Sequence, residues 1–397
     1  MSFIEISFWV SFSILFYVFI GYGFVIYFLI IVKRLVSKKS IKSNIYFEPA
    51  VTLIIPCYNE ADILATKIAN CKQLNYPGDK LKIIFIIDGS TDNSEMILKR
   101  SPEIKVLYQP QRAGKTAAEN RVMKFVDTPI VIFSDANTNL NRDAIINIVK
   151  HFENESVGCV AGEKRIFNNA LESASASGEG IYWKYESLLK RLDSELNTAV
   201  GAAGELVAFR SELYTDLPED TLLDDFMQSM LIASAGYKIV YEPDAYAIET
   251  ASVNIQEELK RKVRICTGGW QSITRLRSKL TLLKDPLLFF QYISHRVLRW
   301  TITPFLLVAI FILNLKMDLY VNGVYQIMML IQFLFYTTAI VGLLLKNSNL
   351  KYKLVFVPYY FCVMNYAVLA GLVKYLTGTQ NILWDRAKRK IVVFEKI

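Results

Sequence analysis

From Ile6 to Val32 the chain has no charged residue, and this run restricts what it can fold into more than any other feature. A helix of about 20 apolar residues already crosses the hydrocarbon of a bilayer. A cleaved signal peptide would open on basic residues and hold a short apolar core. Here the start, MSFIEIS, has only Glu5, and the run is far too long. The segment reads as a membrane helix. Lys33, Arg34, Lys38, Lys39 and Lys42 follow it, and the bias of basic residues toward the cytoplasmic side puts the next segment in the cytoplasm. Further on, Leu319–Leu345 and Leu354–Val373 read as two more spans and Trp300–Leu315 as a shorter one. The stretch before it, DPLLFFQYISHRVLRW, suggests an interfacial helix with His295, Arg296 and Arg299 at the lipid surface. One span before the middle region and three after it would export the basic tail WDRAKRK, against that bias, unless a C-terminal segment is re-entrant. The expected division is an N-terminal helix and basic flank (1–42), a cytoplasmic domain (43–284), and an interfacial helix with about three spans and a basic tail (285–397).

Composition agrees. The chain of 397 residues is 53% hydrophobic, above the roughly 45–50% usual for soluble domains. Its net charge of +8 is read as attraction to lipid headgroups. No aromatic-and-basic motif of the kind that binds nucleic acid is present. The five cysteines, Cys57, Cys71, Cys159, Cys266 and Cys362, are odd in number and lack CxxC or zinc spacing. They read as reduced, mostly buried small hydrophobes, as a cytoplasmic domain would hold.

Between the spans, strand and helix patterns alternate. AVTLIIP (50–56) is a continuous apolar run, as expected of a strand buried on both faces. A helical stretch from Glu60 to Leu74 leads to a second strand, LKIIFII (81–87), and IKVLYQ (104–109), IVIF (130–133) and VGCVAG (157–162) continue the series. That order predicts an α/β fold with a mostly parallel sheet, whose ligands bind beyond the carboxyl ends of the strands. Polar residues gather there: PCYNE after the first strand, DGSTD after the second, SDAN after the fourth. Each has a plain structural alternative, since Asp92 can cap a helix beginning near Asn93 and Asn59 can be a turn residue. Three on one edge of one sheet predict a site.

These residues resemble the membrane-embedded family-2 glycosyltransferases of the GT-A fold, a group that includes cellulose, hyaluronan and poly-N-acetylglucosamine synthases. The matching elements, in order, are IIPCYNEAD (54–62), IIDGSTDNS (86–94), QRAGKTAAEN (111–120), FSDANT (133–138), GAAGELVAFR (201–210), LLDDF with AGY (222–237) and KRKVRICTGGWQ (260–271). The resemblance covers the whole middle domain and implies a GT-A nucleotide-sugar-binding domain flanked by membrane helices.

It also implies roles. Tyr58, Glu60 and Asp88 would hold base and ribose, uridine in most relatives; a carboxylate can accept the imide N–H of a uracil. Lys115 would supply a point charge near the nucleotide. Asp135 and Asn137 fall on the family's Asp-x-Asp, which holds Mg²⁺ or Mn²⁺ against the diphosphate. Such a cation needs only one or two protein oxygens beside phosphate and water, so the asparagine weakens the site without abolishing it. Asp225, eleven residues before Gly236–Tyr237, matches the general base; the alternatives are Asp224 as base and a pair of carboxylates merely opening a helix. Arg264 would meet the leaving diphosphate. Arg261 stands where relatives have glutamine, and Ile265 where they have the tryptophan near the acceptor sugar, which leaves chain extension open. Gly204 and Glu205 belong to the loop under the acceptor. Lys260, Lys262, Arg275 and Arg277 read as a stripe at the membrane surface, and Trp183, Leu188, Leu189 and Leu192 as an apolar face toward membrane or core.

The function expected is inverting, metal-dependent transfer of a sugar from a nucleotide-sugar, a UDP-sugar in most relatives, to a growing surface polysaccharide at a bacterial inner membrane. About four spans would need an oligomer or an export partner to form a channel. Transfer of a single sugar to a lipid acceptor is the near alternative; a nucleotidyltransferase shares the sheet type but gives Asp225 and Arg264 nothing to do.

Overall fold

Val51–Cys57 (β1) is buried at every position, because both faces of the sheet it centres are covered. Its side chains alternate: Leu53 and Ile55 enter one apolar core with Phe85, Ile87, Ile130 and Ile132, while Ile54 enters a second with Ile84, Ile86, Val131 and Phe133. The structure, a computed structural model, describes residues 2–36, 47–167, 174–250, 255–318, 323–345 and 353–383. Lys38, Lys39, Lys42 and the tail WDRAKRK lie outside the described residues.

The other strands are β2 (Leu81–Asp88), β3 (Lys105–Gln109), β4 (Ile130–Phe133), β5 (Asn139–Leu140), β6 (Val157–Phe167), β7 (Val207–Arg210) and β8 (Lys238–Thr250), in the spatial order β3-β2-β1-β4-β7-β6-β8-β5. The chain winds outward from β1 through β2 to β3, then returns to place β4 on the other side of β1. This reversal opens a crevice beyond the carboxyl ends of β1 and β4, where open α/β sheets bind ligands. The parallel sheet holds for β3-β2-β1-β4 and for β6-β8, but β7 runs against both of its neighbours and β5 against β8. The sheet is thus parallel on the crevice side and mixed beyond it.

Three helices among the described residues, Phe3–Val36, Val324–Leu344 and Leu354–Thr377, are long and apolar enough to cross a membrane. A fourth crossing is formed if Pro286–Trp300 and Thr303–Met317, bent by 61° at their junction, act as one span. The interfacial helix and short span expected here are these two halves.

The charges of the first half do not face lipid. His295 is fully buried, with Nδ1 2.5 Å from Asp193 and Nε2 3.2 Å from Glu186. Arg296 and Arg299 pair with the same Glu186 at 2.6 and 3.0 Å, and the Tyr22 hydroxyl of the N-terminal helix donates to Asp193 at 2.6 Å. The apolar N-terminal helix, the helix Ala174–Leu196 and the bent pair are thereby locked at one buried point. The same helix turns Trp183 not to lipid but among the ammonium groups of Lys164, Lys190 and Lys262, 5.0, 5.9 and 5.1 Å from its ring. Leu189 packs inside with Tyr22 and Ile26, whereas Leu188 stays exposed. Nor do Lys262 and Arg275 form a surface stripe: Lys262 is buried beside Glu258, and Arg275 pairs with Asp220 at 2.6 Å.

Removing one partner of a buried ion pair leaves the other charge desolvated, at a cost of about 3–5 kcal/mol. Glu186→Ala should therefore lower the melting temperature of the detergent-solubilised protein sharply. An unchanged melting curve would show that the two arginines find water in the folded state.

Candidate functional site

The crevice holds a cavity of about 490 Å³ whose walls include Tyr58, Glu60, Lys115, Asp135, Asn137, Gly204, Glu205, Asp225, Arg261 and Arg264. Of the residues to which the resemblance gives a part in binding or transfer, only Asp88 does not line it.

The first wall is built by loops after β1 and β2. Asn59 adopts a left-handed φ of 53°, tolerable for an asparagine, and its Oδ1 accepts from Thr91 N at 2.8 Å. Asp92 accepts from Ser94 N and Ala61 N, each at 3.0 Å, so it ties the two loops together as a cap. Asp88 is fully buried and accepts from the backbone N–H groups of Ala113 and Gly114 at 3.0 and 2.8 Å. It was expected to face the nucleoside; in the structure it fixes the start of the helix Lys115–Met123. Gly89 has φ 65°, and a Cβ there would lie 2.7 Å from the Arg112 backbone, so only glycine lets these segments close. Arg112 then lays its guanidinium 3.6 Å over the Tyr58 ring. The sequence reading missed Arg112: nothing in QRAGKT says which aromatic it will cover.

Lys115 is the centre of the site. Its Nζ is 3.1 Å from Asp135, 3.5 Å from Asp224 and 3.8 Å from Glu119. Burial works against the ammonium, but these carboxylates outweigh it and hold its pKa well above the ordinary lysine value. Gly204 permits the assembly, because a Cβ there would stand 2.9 Å from Lys115 Nζ and 3.2 Å from Asp225 Oδ2.

The adjacent pair Asp224 and Asp225 opens the helix Asp224–Ser234, yet the two are driven apart. Burial raises Asp224, but the Lys115 ammonium and a hydrogen bond from Glu119 outweigh it, leaving its carboxyl below the usual range. Glu119 is pushed well above the ordinary value, by burial first and by the charge of Asp224 second. Asp225 is raised to about 7, by burial first and the neighbouring Asp224 charge second. One carboxylate stays ionised and the other titrates near neutrality, the pattern that marks acid–base assignments. Glu119 was not singled out; its place four residues after Lys115, on the same helix face, was the available signal.

Asp135 and Asn137 leave β4 on a turn pinned from below. Buried Lys67 donates to Ser134 Oγ at 3.0 Å and to Thr138 O at 2.8 Å, and the Thr138 hydroxyl donates to Asp135 O at 2.8 Å. The turn itself is therefore held without Asn137. Its Oδ1 is buried and has no hydrogen-bond partner among the described residues. A buried acceptor left unpaired is costly, and beside a carboxylate it suits a hard cation. No cluster of three or more His, Cys, Asp or Glu side chains placed to hold a metal occurs among the described residues. A cation at Asp135 and Asn137 would thus draw most of its shell from phosphate and water.

The remaining wall comes from the membrane side. Arg261 pairs with Glu258 at 3.1 Å, and Glu205 with buried Lys164 at 2.5 Å. Arg264 donates to the carbonyls of Asn381 and Ile382 at 2.7 and 2.9 Å, so the residues just after the last span roof the cavity. Ile265 lines it too. The roof, with Lys374, had no signal in the sequence, since it depends on where that span ends in space.

The pKa of Asp225 in the folded chain, about 7, lies above its ordinary 3.8. Its contribution to folding is most favourable below about pH 4 and is lost as pH rises through 7. Asp225→Asn should remove that loss, so the variant should melt higher than wild type at pH 8, and by less at pH 5. Parallel melting curves across this range would show that Asp225 titrates normally.

Residues 52–216 match the family model described as Glycosyl transferase family 2. Over 235 residues the chain is 28% identical to the poly-beta-1,6-N-acetyl-D-glucosamine synthase of Staphylococcus aureus strain MSSA476, covering 57% of this chain and 56% of that protein. The synthase of the same name from Staphylococcus epidermidis is 27% identical over 263 residues, 64% and 62% of the two chains. The chain thus spans less than two thirds of the length of these relatives. Among solved structures, the mannosyltransferase PcManGT from Pyrobaculum calidifontis, in complex with GDP-Man and Mn²⁺, superposes with a TM-score of 0.72 at 22% identity, over 94% of this chain and all of that one. That likeness shows the shared fold.

Proposed function

We propose that the protein, whose residues 52–216 match the Glycosyl transferase family 2 model, transfers a sugar, with inversion, from a nucleotide-sugar to an acceptor hydroxyl at the membrane surface, extending a surface polysaccharide as its named relatives' products suggest. The observation that carries this reading is Asp225: a carboxyl raised to about 7, lining a cavity that Tyr58, whose ring Arg112 covers, also lines.

In the proposed reaction the nucleoside lies against Tyr58, with Glu60 and Arg112 beside it. The acceptor lies over Gly204 and Glu205. Asp225 takes the proton of the acceptor hydroxyl as that oxygen attacks the anomeric carbon, and the bond to the diphosphate breaks. Lys115 and Arg264 meet the charge that builds on the leaving group. Asp135 and the unpaired oxygen of Asn137 would hold Mg²⁺ or Mn²⁺, whose charge would further offset that of the diphosphate. Lys115 orients Asp135 and Asp224 together. Asp88 acts at one remove, by setting the helix that bears Lys115. A bacterial inner membrane, with the catalytic domain on the cytoplasmic side where nucleotide-sugars are found, belongs to the same proposal; so does the division of the chain into residues 1–42, 43–284 and 285–397.

The direct test is to incubate purified protein in liposomes with a panel of UDP- and GDP-sugars and size the product. With the correct donor, the acid limb of the rate profile should rise through pH about 7. Asp225→Asn should lose about 10²–10⁴ in turnover while still binding donor. A variant with full turnover would move the base elsewhere, and Asp224 would be next.

Chelation should abolish turnover, with Mn²⁺ or Mg²⁺ restoring it. Asn137→Asp should lower the metal concentration that gives half-maximal rate, and Asn137→Ala should raise it. If all three proteins titrate alike, Asn137 is not a ligand.

A further inference from the structure

Beside the large cavity lies a small one, of about 10 Å³, room for a single water molecule. Lys115, Gly204, Asp224 and Asp225 line both. Glu119, Tyr214 and Gln228 line only the small one, whose apolar wall is Phe133, Val207 and Phe209. Gln228 stands three residues after Asp225 on the helix Asp224–Ser234, so the two share a face. It is 2% exposed. Its Nε2 donates to Leu213 O at 3.2 Å, which fixes the orientation of the amide. The other end, Oε1, is buried and has no hydrogen-bond partner among the described residues. Asp225 accepts one hydrogen bond among the described residues, from Phe226 N to Oδ1 at 2.7 Å.

The void thus adjoins two acceptors, an amide oxygen and a carboxylate, and neither can donate to the other while Asp225 is ionised. An occupant that serves both has to act in two directions. A cation would do so against the repulsion of the Lys115 ammonium, which lines the same void. A water meets no such repulsion, and Lys115 can donate to it. Two acceptors and one donor are the set of partners that a buried water usually has.

We propose that Gln228 holds a water molecule in this void, and that the water donates to the Asp225 carboxylate and keeps it ready to receive the acceptor proton. The proposal rests on the glycosyl-transfer reading above and adds a positioning residue to it, since Gln228 acts through the water on Asp225. A hydrogen bond donated to the charged form of a carboxyl favours that form. It therefore opposes what burial and the charges of Asp224 and Glu205 do to Asp225, in the same sense as Lys115. Of the other titratable groups packed around Asp225, Glu119 and Tyr214 line the small cavity, Asp135 and Arg264 the large one, and Cys159 of β6 is buried within electrostatic reach.

The test changes none of these groups. Gln228→Met keeps the length of the side chain and removes its polar atoms, while Val207→Ile narrows the void from β7 and leaves Gln228 in place. One remains informative if the other misfolds. With the protein in liposomes and the UDP- or GDP-sugar that supports turnover, each variant should move the acid limb of the kcat/KM profile up by about one pH unit, the effect of losing one hydrogen bond to a charged group. KM for the donor should stay at the wild-type value, and turnover should approach wild type at high pH. A second readout needs no turnover: the stability lost as Asp225 ionises, measured as the melting difference between each protein and its Asp225→Asn counterpart, should level off about one unit higher in pH. A lower melting temperature with neither shift would make Gln228 merely structural and overturn the proposal. So would a downward shift, which would mean that protonated Asp225 donates to Gln228 directly, or a shift in Gln228→Met with Val207→Ile like wild type, which would leave no part for the water. Absence of turnover by wild type with every donor would overturn the glycosyl-transfer reading, and the melting curves would still decide the water site.

Discussion

The site is organised around one buried ammonium. Lys115 stands within 3.1–3.8 Å of Asp135, Asp224 and Glu119, and each depends on it differently. Without that charge, burial would raise Asp224, and Asp225 would lose the ionised neighbour that helps lift its pKa to about 7. Like-charged carboxylates crowded in a low-dielectric pocket repel strongly. A single cation on the first turn of a helix, placed there by Asp88 through two backbone hydrogen bonds, makes the cluster tolerable.

The same logic of buried pairing joins the catalytic domain to the membrane helices. Glu186 and Asp193 gather His295, Arg296, Arg299 and Tyr22 at a point where three segments distant in sequence meet. Hydrophobic contact alone lets helices slide; charges that must stay paired fix their register. The helix Ile255–Leu276 lies between the catalytic cavity and the space between the spans. Its orientation therefore decides which of its side chains line one and which line the other.

Rigidity at the metal turn has a similar origin. Lys67, buried beneath β4, satisfies Ser134 and Thr138, so the loop needs nothing from Asn137 to keep its shape. This is why the Asn137 oxygen can remain unpaired beside the cavity that the residue lines. In the proposed reaction this turn would hold a cation against a diphosphate, and such a site benefits from ligands held in place beforehand.

Much of this was legible in the chain alone. Uncharged runs of bilayer length declare membrane helices, because no other solvent suits them, and apolar strands buried on both faces announce a parallel sheet whose polar ends form a site. Tyr58, Asp135 and Asn137 follow strands at that edge, whereas Glu60, Lys115, Gly204, Asp225 and Arg264 could be picked out through the resemblance of their motifs to a known family. Tertiary structure alone decided which charges face one another. Asp88 turns to backbone rather than into the cavity; Arg112 covers Tyr58; Glu119 joins the carboxylates around Lys115; His295 and the arginines beside it look inward. Local sequence sets periodicity and ends of elements, because those follow from φ, ψ and side-chain spacing. The pairing of ions depends on distance through space and on burial, and both exist only once the elements have packed.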